Sequence, residues 1–125
     1  MGVGGAVLLD LTRIGEIRGA MVVHRDGTVL DQAGIDPEDQ EILSSVATIS
    51  LRLSETVGRY KQLAEFVQLF VEFGRGLVVV QRLSPDVVLV ALTDERGSIG
   101  MIRHRLTKAH PALKQAYAHG QGTSE

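Results

Sequence analysis

Apolar positions along this chain recur in two rhythms, one of three and four residues and one of two. Val7, Leu8, Leu11, Ile14 and Ile17 follow the first and predict a helix over about residues 6–15. Gly19 resets the backbone, and Ala20-Met21-Val22-Val23 reads as a strand buried on both faces. Asp26-Gly27 is a hairpin signal, because glycine accepts the positive φ of a tight turn. Thr28-Val29-Leu30 returns as a second strand.

A long helix is predicted next. Asp36 is placed to cap it, Pro37 suits its first position, and Glu38, Asp39 and Glu41 favour the positive end of the helix dipole. It runs to about Tyr60. Ile42, Val46, Ile49, Leu53, Val57 and Tyr60 make one apolar stripe, which is expected to sit on a sheet. Leu43, Ala47, Ser50, Leu51, Ser54 and Gly58 make a second stripe beside it. Together the stripes span about half the helix circumference, more than one sheet needs. The second stripe is therefore assigned to a packing partner, since small residues let two helices approach closely. A flank tucked under a neighbouring loop is the simpler alternative.

Three strands follow. In the stretch Glu65–Phe73, Val67, Leu69, Val71 and Phe73 point one way. Gly74-Arg75-Gly76 makes a turn, Leu77–Val80 is apolar on both faces, Ser84-Pro85-Asp86 turns again, and Val87–Leu92 is again apolar on both faces. A last helix is capped by Ser98 and carries Ile99, Ile102, Leu106, Ala109 and Leu113; Pro111 predicts a kink or restart near His110. Residues 1–118 form one domain, and the tail 119–125 is expected to be disordered. The order α-β-β-α-β-β-β-α, with hairpin turns, predicts an α/β (α+β) fold: a five-stranded, largely antiparallel sheet flanked by helices.

Composition removes several function classes. With 44% hydrophobic and 22% charged residues, the 125-residue chain is globular. Its net charge of −2 offers no global field for nucleic acid. It has no cysteine, which excludes thiolate chemistry and Cys-based metal sites. No apolar run is long enough for membrane insertion, and no secretory signal opens the chain, so a cytoplasmic protein is expected.

Candidate chemistry is sparse. His24-Arg25-Asp26 matches the start of a protein-kinase catalytic loop, but Asp31 stands where that loop needs Asn, and the other kinase elements are missing. Strand, turn, strand explains it better. Gly2, Gly4 and Gly5 follow no strand and precede no Lys, so they are no phosphate loop. His24, His104, His110 and His119 form no i, i+4 pair and have no acidic neighbour that completes a metal set, so neither metal nor cofactor is expected. Arg103, His104, Arg105, Lys108, His110 and Lys114 make the last helix basic. Contact with an acidic surface is one reading; a solvated face with cations near the helix C-terminus is the preferred one.

The stretch Ile17–Gly27, the long helix from Pro37, and the strands Leu77–Val80 and Asp86–Leu92 resemble the roadblock/dynein light chain domain family, in its bacterial MglB-like branch. The resemblance covers about residues 6–118. It implies a profilin-like sandwich and a non-enzymatic dimer, with sheets joined edge to edge and long helices paired. It also implies binding of a Ras-like small GTPase, with GTP hydrolysis stimulated without an arginine finger. The expected dimer interface is Leu43, Ala47, Ser50, Leu51, Ser54 and Gly58 with Phe66, Gln68 and Phe70 of the edge strand. Arg52, Arg59, Arg25 and Arg75 are candidate partner contacts. A small-molecule sensor, recognisable by a roomy cavity under the long helix, and a structural subunit without a GTPase remain open as alternatives.

Overall fold

The computed structural model of the chain describes residues 3–13, 17–63, 67–93 and 99–117. Helix α1 (Val3–Arg13) leads to strands β1 (Ile17–His24) and β2 (Val29–Ala33). The long helix α2 (Pro37–Arg59) ends in a 3-10 turn at Tyr60–Gln62. Strands β3 (Gln68–Phe73), β4 (Gly76–Ser84) and β5 (Val87–Thr93) precede helix α3 (Ile99–Tyr117). The expected order is the observed order. Ile14, Glu65, Phe66, Ser98, His119 and the tail 119–125 lie outside the described residues.

One five-stranded sheet has the order β2-β1-β5-β4-β3, and each pairing is antiparallel. The apolar-on-both-faces strands are the central ones. Along β5, Val87, Leu89 and Ala91 enter one core, while Val88 and Val90 enter the other. Along β4, Leu77, Val79 and Leu83 join the first core and Val80 the second. This period-two sorting requires cover on both faces. Helices α1 and α3 supply it on one side through Leu8, Leu11, Ile102, Leu106 and Leu113. Helix α2 supplies it on the other, over β1 and β5.

Strand β1 is longer than its apolar run suggests, because Gly19 lies inside it rather than ending a loop. The register with β5 shifts between Ile17 and Gly19, a bulge that lets Ile17 and Ala20 share one core despite their odd spacing. The β1–β2 turn uses Gly27 at φ 95°, as Asp26-Gly27 predicts. His24 donates its amide to the Thr28 carbonyl at 2.8 Å, and Asp26 Oδ1 accepts the Thr28 amide at 2.9 Å. The kinase-like triplet is thus a hairpin turn.

Two local expectations are corrected. Asp36 stands at the start of α2 in extended conformation, but its side chain makes no capping bond; its carbonyl takes the Asp39 amide instead. Helix α3 continues through Pro111 without a restart. Pro111 is exposed, and so is Thr107, whose carbonyl loses the i→i−4 bond and can be solvated.

The larger correction concerns the rotation of α2. The stripe assigned to the sheet faces outward: Ile42 is 65% exposed, Ile49 61%, Leu53 56%, Val57 48% and Tyr60 66%, and only Val46 tucks in part against the core. The stripe assigned to a partner faces the sheet instead. Leu43, Ala47, Ser50 and Leu51 are buried, Ala47 completely, on Met21, Val23, Val88 and Val90. The two stripes sit only about 100° apart, so periodicity alone leaves the rotation open. Small Ala47 and Ser50 let the helix axis approach the sheet closely, and the branched residues are left outside.

Candidate functional site

The outward face of α2 is an apolar surface that the subunit leaves exposed. Ile42, Ile49, Leu53 and Val57 line it, with Tyr60 and Leu63 where the helix ends. On the edge strand β3, Val71 and Phe73 are exposed as well, and so is Val67 just before it. β3 is an edge: it pairs with β4 alone in the sheet order. Covering the exposed half of each large side chain is worth roughly 1 kcal/mol, so the set is a substantial drive for association.

The other edge-strand candidates point differently. Gln68 and Phe70 lie on the α3 face of β3. Gln68 Nε2 donates to Gln81 Oε1 at 3.3 Å, and Phe70 is half-buried beneath Arg103, whose guanidinium carbon is 5.1 Å from the ring centroid. Gln81 is itself buried and donates to the Leu106 carbonyl at 3.3 Å. Ser54 and Gly58, further along the second stripe, are half-buried on the flank of α2. An interface made of Leu43, Ala47, Ser50 and Leu51 is therefore corrected: those atoms are already used inside the subunit.

The candidate arginines divide. Arg52 and Arg59 are exposed on α2, and Arg75 is exposed in the β3–β4 turn. Arg25 is tied down. Its Nε donates to Asp86 Oδ1 at 2.8 Å, its Nη1 to Glu55 Oε1 at 3.1 Å, and its Nη2 to Glu55 Oε2 and, at 2.8 Å, to the Pro85 carbonyl. Arg82 Nη2 stands 3.7 Å from the same Glu55 carboxylate. The bond to Glu55, then that to Asp86, raise the Arg25 pKa, so the guanidinium is held charged. Arg25 lowers the Glu55 pKa, with help from Arg82 and Arg59. This network clamps the C-terminal half of α2 to the turns at one end of the sheet, the end opposite Arg75. Sequence reasoning had no access to it, because Arg25, Glu55 and Asp86 are far apart in the chain.

Among the described residues, two of the grooves that open to solvent are of a size to take a ligand or side chain. One, about 260 Å³, is lined by Val67, Arg82, Ser84, Pro85, His110 and Lys114. The other, about 380 Å³, lies between α1 and α3. Neither is under α2, where a sensor's cavity was expected. Among the described residues no group of three His, Asp or Glu is placed to hold a metal ion, and no helix is long and apolar enough to cross a membrane.

Comparison with known proteins agrees with this architecture. The family model for the Roadblock/LC7 domain matches residues 4–93. Uncharacterized protein MJ0714 of Methanocaldococcus jannaschii is 27% identical over 111 residues, covering 89% of this chain and 93% of that protein. Myxococcus xanthus MglB shares the fold with a TM-score of 0.83 at 24% identity, over 92% of this chain and 94% of that one. A Roadblock/LC7 domain from Streptomyces avermitilis superposes with a TM-score of 0.80 at 18% identity, over 89% and 94%.

Proposed function

This chain belongs to the Roadblock/LC7 domain family, and from that premise we propose that it is a non-enzymatic cytoplasmic homodimer that binds a Ras-like small GTPase and regulates or scaffolds it. The observation that carries the reading is the outward apolar stripe of α2, together with the unpaired edge strand β3 of the same sheet. A second copy covers that stripe, with the two α2 helices side by side and the two sheets joined at β3. The interface is then Ile42, Ile49, Leu53, Val57 and Tyr60, not the small-residue stripe.

The paired helices make one face on a rigid sheet, with Arg52 and Arg59 at its margin. A GTPase docks there. The protein acts on it only through tighter binding to one state of the switch loops. Arg25 is already paired with Glu55 and Asp86. Stimulation of hydrolysis, on this reading, comes from holding the GTPase's own catalytic groups in place.

The test has two stages. Ile49→Glu and Leu53→Glu each place a charge at the centre of the proposed interface and are expected to give folded monomers by sedimentation. A candidate GTPase is then mixed with wild type and with each variant, and GTP turnover is followed. Faster turnover with wild type only supports regulation by the dimer. Binding without acceleration leaves the scaffold role, and a wild type that is already monomeric removes the proposal.

A further inference from the structure

Helix α2 is held to the sheet in two different ways along its length. Its buried residues are Leu43, Ala47, Ser50 and Leu51, and all of them precede residue 52. From Arg52 to Arg59 no residue of the helix is buried; Ser54, Glu55 and Gly58 are half-buried. This segment makes about two turns, roughly 12 Å of helix. Yet Leu53, Val57 and Tyr60 of the proposed interface stand on it or directly after it.

The polar clamp falls within this segment, and Glu55 is the residue that α2 gives to it. The other members belong to the sheet and its turns. Arg25 is fixed there by its own backbone, whose amide donates to the Asp86 carbonyl at 2.7 Å. Its Nη2 donates to the Pro85 carbonyl, which also accepts from Arg82 Nη2 at 3.1 Å. Arg82 Nε in turn donates to the Ser84 carbonyl at 3.2 Å. Two arginines thus converge from the sheet on one carboxylate of the helix. An isolated exposed ion pair contributes little. Here the Arg25 guanidinium grips both Glu55 oxygens and is fastened to Asp86 and Pro85 as well, so little side-chain freedom is left to lose.

We infer that Arg25 and Glu55 are positioning residues for the partner-binding face of α2. Their clamp orders the last two turns of the helix, with Leu53 and Val57, before a partner arrives. A partner then meets a preformed stripe, and the avoided ordering cost appears as affinity. Without the Glu55 charge, the N-terminal part of α2 stays seated on Met21, Val23, Val88 and Val90 while the last turns fray. The inference rests on the reading of the outward stripe as an interface, but the clamp itself is testable without a partner.

Hydrogen exchange of the full chain, read by mass spectrometry, tests the clamp in Ile49→Glu, the expected monomer, with and without Glu55→Gln. Glu55→Gln should speed amide exchange about tenfold over residues 52–59 and leave residues 43–51 unchanged. Sedimentation of Glu55→Gln alone should show the dimer dissociation constant raised about tenfold. Arg25→Gln should match it, and the double variant should add little, as for two groups that act as one unit. Where Arg25→Gln fails to fold, Glu55→Gln decides alone. Equal acceleration in both parts of α2, or none in either, overturns the inference. So does local loosening with an unchanged dissociation constant. A wild type that is monomeric rejects the dimer instead, and the exchange comparison still decides the clamp.

Discussion

Arg25 and Gly19 each hold a local geometry that one side-chain change would undo. Arg25 joins Glu55 of α2 to Asp86 of the β4–β5 turn, so the clamp depends on one carboxylate that accepts from it twice. The folded-state pKa of Glu55 lies below its ordinary value of 4.5. Its stabilising contribution is therefore complete above that pH and is lost as pH falls through the lower folded value. Glu55→Gln should lower Tm at pH 7 and make the remaining Tm less sensitive to acid below pH 4.5, measured by thermal unfolding across a pH series. Gly19 tolerates no side chain: a Cβ there would lie 2.5 Å from Ile35 Cδ1 and 2.7 Å from the Gly34 carbonyl oxygen. Gly19→Ala should cost about 2 kcal/mol in denaturant unfolding, because the obstructing oxygen belongs to the backbone. A loss below a few tenths would mean that the β1–β2 edge yields easily.

At the scale of the element, the identity of α2 was legible and its rotation was not. Pro37, the acidic first turn and the three-four spacing predict a long helix that starts where it does. Its burial depends on which of two adjacent apolar stripes fits the sheet better, a question of shape across about 100° of one cylinder. The central strands present Met21, Val23, Val88 and Val90, and a low ridge of Leu43, Ala47 and Leu51 packs on them. The rotation makes two substitutions behave differently. Ala47→Glu should unfold the chain, costing about 3 to 5 kcal/mol by circular dichroism, since the new carboxylate has no partner in the core. Ile49→Glu should leave the helical signal and the fold intact and change only the association state. Equal effects of the two on folding would show that the helix is seated otherwise. Similar reasoning explains the arginines: exposed Arg52, Arg59 and Arg75 were identifiable as surface residues, while the pairing of Arg25 needed distant turns to meet.

For the whole molecule, the unequal treatment of the two sheet faces matters most. One face is covered by two helices, the other by one helix that leaves its own apolar back and the β3 edge open. If a second copy closes that side, unfolding is coupled to association. Tm should then rise with protein concentration over the micromolar range and become independent of it in Leu53→Glu. A wild-type Tm that does not move with concentration would argue for a self-sufficient subunit. By itself the sequence determined the element order, the antiparallel hairpins and the burial of the central strands on both faces. Those features follow from local turn chemistry and from period two against period three to four. Only the tertiary structure decided the side of α2 that faces solvent, the Arg25–Glu55–Asp86 clamp and the groove between α1 and α3. Each of these depends on surfaces brought together from remote parts of the chain, whose fit is set by shape and distance that a linear pattern does not encode.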